Sequence, residues 1–146
     1  MKKDEVLKKL HDISELLTTI RPPLPLNQST YLEGLPHSAR DILVQLHVNG
    51  EINQRTLAKH VGCSPQAISK SVVKLEARGL IVKNNGTQKN EKNITLTKIG
   101  EEIAVQLQNI IKEYAEVVFK GFSTQDISTF NSFLEQLYDN ISNQER

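Results

Sequence analysis

The apolar positions of this chain change their spacing along its length, and the changes mark out its elements. Val6, Leu10, Ile13, Leu17 and Ile20 step by four, three, four and three, the seam of a helix that packs lengthwise against another helix. Pro22, Pro23 and Pro25 end it, because proline lacks an amide donor and disfavours helix in the residue before it. A loop is predicted to about Leu35, then a second helix over residues 36–48 with Ile42, Leu43 and Leu46 inward and Asn49-Gly50 as its stop.

Asn53 is placed to cap a short helix over residues 54–61 that Gly62 ends, and Ser64-Pro65 opens the next with a capping hydroxyl and a proline at its first position. That next helix is predicted to reach Arg78 and close at Gly79. It carries Ile68, Val72 and Leu75 on one side and Gln66, Ala67, Lys70, Ser71, Lys74 and Arg78 on the other, so a buried stripe anchors a polar, positive one that holds no acid. Residues 80–83 and 93–97 read as strands joined in a hairpin, with an Asn-Gly turn signal and no large apolar residue between them. Thr97 is placed to cap a long helix with Ile99, Ile103, Leu107, Ile110, Tyr114 and Val117 along one side. Ser123 with Asp126 makes an acidic variant of the capping box for a last helix bearing Ile127, Phe130, Leu134, Leu137 and Ile141.

This order of elements is that of a winged helix-turn-helix with long helices at both ends, a mainly α fold with a small β-hairpin wing. The expected division gives residues 36–97 to the winged helix-turn-helix and residues 1–35 and 98–146 to dimerisation helices. A length of 146 residues suits one domain or a small two-lobed unit. Net charge is only +1, yet residues 51–98 hold nine Lys or Arg against three acids and the flanks hold nine against fourteen. A basic middle in an otherwise acidic chain points to a polyanionic partner for that part alone. Six of the seven aromatics, Tyr114, Phe119, Phe122, Phe130, Phe133 and Tyr138, lie in the C-terminal helices and none in the basic segment. Single-strand binders stack bases on aromatic rings, so double-stranded DNA is the better partner.

Composition excludes several other classes. One Cys rules out an internal disulfide framework and a multi-thiolate zinc site within the chain. No run of about 18 apolar residues and no signal peptide is present, so a cytoplasmic protein with no membrane partner is expected. The seven glycines form neither a dinucleotide fingerprint nor a P-loop, and no nucleophile elbow or metalloprotease helix occurs. Neither an enzyme nor a cofactor is expected.

In a helix-turn-helix the second helix presents its exposed face to the major groove, where the four base pairs are distinguishable, and the hairpin reaches the backbone beside it. The candidate DNA-binding residues are Ser64, Gln66, Ala67, Ser69, Lys70, Lys74 and Arg78 on that helix, with Lys89 and Lys92 in the wing. The bland alternative is a solvated helix face and wing lysines that serve solubility.

Residues 36–100 resemble the multiple antibiotic resistance regulator (MarR) family of bacterial transcription factors. The stretches that carry the resemblance are Asn53-Gln54-Arg55-Thr56-Leu57-Ala58-Lys59-His60-Val61-Gly62, then Ser64-Pro65-Gln66-Ala67-Ile68-Ser69-Lys70-Ser71-Val72-Val73-Lys74-Leu75-Glu76-Ala77-Arg78-Gly79-Leu80-Ile81, and Ile94-Thr95-Leu96-Thr97-Lys98-Ile99-Gly100. The resemblance implies a homodimer whose N- and C-terminal helices interlock on a pseudo-palindromic operator. It also implies, as in many relatives, a repressor that releases DNA when a small-molecule effector binds between the lobes. Two positions depart from the pattern. Relatives commonly carry Asp and Arg in the wing tip, where this chain has only Lys89 and Lys92 as cations; and Lys70 stands where relatives often place Arg. Lysine is a flexible point charge and cannot grip guanine with a planar fork, which shifts base reading towards Gln66 and DNA shape.

Control is less legible. An effector pocket is expected near Leu16, Ile20, Arg21 and Leu46, with Arg21 as partner for an apolar or aromatic acid, against the alternative that these are ordinary core and a solvated cation. Cys63, between the two helices of the turn, is expected to pack as a small hydrophobe. The reactive Cys of peroxide-sensing relatives lies in the first helix, which here has none. His11, His37, His47 and His60 lack the spacing of three or four that aligns two imidazoles on a helix, so no metal site is expected. Two rival readings stay open: a winged-helix module for an acidic protein partner, and a regulator gated by metal or redox chemistry.

Overall fold

The computed structural model describes residues 1–19, 30–86 and 91–144. In chain order its elements are α1 (Lys3–Thr19), α2 (His37–Asn49), β1 (Ile52–Asn53), α3 (Gln54–Val61), α4 (Pro65–Ala77), β2 (Ile81–Asn85), β3 (Lys92–Leu96), α5 (Lys98–Val118) and α6 (Thr124–Ser142). The chain forms two units, Met1–Ile111 and Lys112–Arg146, whose boundary falls inside α5.

The core of the first unit is made by α2, α3 and α4 packing on one another and on a three-stranded antiparallel sheet of order β1-β3-β2. Ile42, Leu43 and Leu46 of α2, Leu57 of α3, Ile68, Val72 and Leu75 of α4, and Ile81 and Ile94 of the sheet are all buried there. Ile103, Ala104 and Leu107 join this cluster, so the first half of α5 is part of the winged-helix core. At about 1.5–3 kcal/mol for each large apolar side chain fully buried, that cluster supplies the main favourable term for this unit. Along α1, by contrast, Val6, Ile13 and Leu17 of the seam remain exposed.

The wing differs from the two-strand expectation in three ways. A third strand, β1, pairs Ile52 with Ile94 and Asn53 with Asn93; at two residues it is too short to show a period of two. The strands are also displaced, with Ile81 opposite Leu96 and Asn85 opposite Lys92. Thr97 follows β3, its amide still donating to the Leu80 carbonyl at 3.1 Å, while its hydroxyl donates to the Gly79 carbonyl at 2.7 Å and accepts from the Gly100 amide at 3.1 Å, which makes it the cap of α5 as expected. Finally, Asn85-Gly86 is not the turn centre: the Gly86 amide donates across to the Glu91 carbonyl at 3.0 Å, so the ladder continues through it.

Gly100 explains how closely α5 approaches the sheet. A Cβ built there would sit 2.0 Å from the Leu80 carbonyl oxygen, a contact that real Cβ atoms do not make. Glycine is therefore needed for close approach rather than for an unusual backbone angle.

In the second unit α6 begins with the expected capping box. Ser123 Oγ accepts from the Asp126 amide and Asp126 Oδ2 accepts from the Ser123 amide, both at 3.0 Å. The Ser123 amide, and after it the Ser123 hydroxyl, stabilise the charged carboxylate and lower the Asp126 pKa below its ordinary value. Phe119 meets Phe122 and Phe130 edge-on, with centroids 6.1 and 6.4 Å apart. No residue of α6 is buried.

Candidate nucleic-acid interface

The turn between α3 and α4 is built from three local signals in the sequence. Asn53 Oδ1 accepts from the Thr56 amide at 2.8 Å and starts α3. Gly62, with φ at 73°, ends it in the left-handed region and donates its amide to the Ala58 carbonyl. Ser64 Oγ accepts from the Ala67 amide at 3.1 Å and starts α4, with Pro65 at its first position. Ser64 is thus an exposed capping residue whose oxygen accepts from the helix.

On α4 the buried stripe is formed by Ile68, Ser71, Val72 and Leu75. At roughly 100° per residue, Gln66, Lys70, Val73 and Ala77 fall within about 30° of the opposite direction. Lys74 and Ala67 lie on one flank and Ser69 on the other, and every one of these seven residues is exposed. The structure therefore brings Gln66, Ala67, Ser69, Lys70 and Lys74 together on one outward surface.

Two residues of the expected polar stripe are less exposed than the rest. Ser71 does not belong to the polar stripe: it is only 2% exposed, and its hydroxyl lies 3.3 Å from that of Ser38 on α2. A small polar residue fits there because it finds a partner on leaving water. Arg78 is half-buried, and its guanidinium donates to the Tyr31 carbonyl at 2.8 Å. It fastens the end of α4 to the segment before α2, a structural engagement that the polar pattern concealed. Glu76 likewise ties α4 to the wing, accepting from the Lys83 amide at 3.2 Å with the Lys83 ammonium 3.7 Å away.

Lys92 is exposed and donates to Asn85 Oδ1 at 3.0 Å across the wing; Lys89 lies outside the described residues. Exposed Arg55 and Lys59 on α3 add positive charge beside the turn, and His60 is exposed next to them. They were available in the sequence as the hydrophilic side of a short helix, but only the orientation of α3 shows that they face out. Val73 was also missed: it adjoins Val72 in an apolar dipeptide, yet one step of rotation carries it out of the core to 55% exposure.

Of the expected effector residues, only Leu16 and Leu46 lie among the described residues. Leu46 is committed to the winged-helix core, Leu16 is exposed on α1, and Ile20 and Arg21 lie outside the described residues. Cys63 is half-buried with a free thiol. Among the described residues no group of three or more His, Cys, Asp or Glu side chains is arranged to hold a metal ion, and no helix is long and apolar enough to cross a membrane. His47 on α2 instead pairs with Glu101 on α5.

A buried stripe on α4, a tight Gly62 turn and a flanking antiparallel wing define a winged helix-turn-helix. Residues 33–89 match the model of the MarR family. A helix-turn-helix-type transcriptional regulator of Bacillus subtilis, YxaD, is 29% identical over 125 residues, 84% of this chain and 87% of that protein. Among solved structures, a MarR-family regulator from Listeria monocytogenes complexed with a 26-mer DNA superposes with a TM-score of 0.78 at 22% identity, covering 99% of this chain and 92% of that one. The PcaV regulator from Streptomyces coelicolor, in complex with its natural ligand, superposes with a TM-score of 0.73 at 19% identity, covering 95% and 93%. Similarity to transcription regulators thus extends over nearly the whole chain at the level of fold.

Proposed function

We propose that this protein is a homodimeric, sequence-specific regulator of transcription that binds a pseudo-palindromic operator in double-stranded DNA and represses until a small-molecule effector releases it. The observation that carries the DNA-binding part is the outward face of α4, where Gln66, Lys70 and Lys74 stand clear of the core stripe with no acid among them. Gln66 lies nearest the helix start and reads a base, since Gln pairs in bidentate fashion with adenine. Lys70, Lys74, Ser64, Ser69 and the wing lysines hold phosphates, which position the protein without specifying sequence. Support for a DNA partner comes from the Listeria relative, which carries this fold on DNA.

Dimerisation through residues 1–35 and 98–146 is supported by apolar residues left exposed on both terminal helices, Val6, Ile13 and Leu17 on α1 and Ile127, Leu134, Leu137 and Ile141 on α6. Two copies of α4 related by a dimer axis then meet half-sites about 34 Å apart, roughly one turn of DNA. The PcaV complex supports an effector, whose influence equals its preference for the non-binding arrangement. Titration of genomic fragments across salt concentrations tests the proposal. The expected result is binding that weakens steeply with salt and favours one sequence family by about a thousandfold or more over random duplex. Binding with no sequence preference, or none to duplex DNA, refutes it in favour of an acidic protein partner.

A further inference from the structure

The exposed face of α4 carries one large apolar side chain, near the centre of that face. Val73 lies between the directions of Gln66 and Lys70 on one side and Ser69 on the other, is 55% exposed, and belongs neither to the buried cluster nor to the residues packed against it. A β-branched residue here brings no advantage to the isolated helix, because it loses χ1 freedom that Ala, Gln or Lys would keep. The adjacent Val72 already fills the core position. Packing within this unit therefore does not account for Val73.

We infer that Val73 is a base-reading residue whose isopropyl group packs on the C5-methyl of a thymine. The inference rests on α4 lying in the major groove, as proposed above. Edges of base pairs in that groove present hydrogen-bond donors and acceptors everywhere except at the thymine methyl, the one apolar group available to an apolar side chain. Gln66 and Val73 are seven residues apart on the same side, about 10 Å along the helix, or about three base-pair steps of 3.4 Å. Each half-site therefore carries an adenine·thymine pair for Gln66 and a second one about three steps away for Val73.

The test uses the full-length protein and a duplex that it selects from random-sequence DNA, with each thymine replaced in turn by deoxyuridine. That change deletes the methyl and keeps every hydrogen-bonding group. At one thymine per half-site the wild-type protein should lose about three- to fourfold in affinity, the scale of one buried methyl group. Val73→Ala should bind the thymine duplex more weakly and lose nothing further at that deoxyuridine. Its thermal midpoint should not fall, since Ala at an exposed helix position is the better helix former. Identical deoxyuridine profiles for the two proteins would overturn the assignment while leaving DNA reading by α4 intact. Failure to enrich any duplex would overturn both.

Discussion

Helices α4 and α6 are both amphipathic, yet their apolar sides meet opposite fates. In α4 the stripe of Ile68, Val72 and Leu75 is covered within the chain, which frees the polar side to face outward. In α6 Ile127, Leu134 and Leu137 each keep nearly 40% of their surface exposed and Ile141 more. An apolar stripe in contact with water has a partner still to find. The same sequence signal thus marks a helix held by its own domain in one case and, on the proposal above, a helix completed by a second copy in the other.

The sharpest way to break this contrast is to charge the outward stripe of α6. Leu134→Glu places two like charges in a dimer and removes two buried leucines, at about 1.5–3 kcal/mol each. Dissociation to monomer should exceed a hundredfold, read by sedimentation, with operator affinity falling alongside. An unchanged association state would refute α6 as the interface.

The next effect belongs to α4's inner side. Leu75→Ala should lower unfolding free energy by about 2–5 kcal/mol, measured with denaturant, whereas Lys74→Ala one residue away should leave it nearly unchanged. Equal losses would mean that the stripe and the outer face are not distinct.

On that outer face, Gln66→Ala should narrow the preference for operator over random duplex by about 1–3 kcal/mol. Lys74→Ala should weaken all duplexes almost alike and reduce the salt slope by about one. A competition assay at several salt concentrations separates the two, and matching profiles would erase the division between base and phosphate contacts.

The smallest effect concerns the cap of α6. Because the folded-state pKa of Asp126 is lowered from 3.8, its carboxylate contributes stability that is full above that value and is lost as pH falls through the lower folded one. Asp126→Asn should therefore be slightly less stable at pH 7 and no longer show that loss in acid, as followed by thermal midpoint. The group is fully exposed, so the difference will be small.

How much could be read without coordinates depended on how local the signal was. Caps at Asn53, Ser64, Thr97 and Ser123 act within three residues of themselves, and all four form the predicted bonds. Strand limits were displaced because the pairing of Asn85 with Lys92 is decided by the partner strand, and β1 was missed because two residues carry no period. Side chains with two chemical faces were harder to place: Ser71 looks like a surface residue but is buried beside Ser38, and Arg78 is half-buried with its guanidinium on the Tyr31 carbonyl.

By itself the sequence determined the order of the elements other than β1, the caps at Asn53, Ser64, Thr97 and Ser123, the turn at Gly62 and the concentration of positive charge over residues 51–98, because each depends on neighbours along the chain. Only the tertiary structure decided that Val72 faces the core while Val73 faces out, that Arg78 holds a carbonyl 47 residues away, and that Gly100 must have no side chain beneath Leu80. Those outcomes depend on which distant surface reaches a residue first, and spacing along one chain does not encode it.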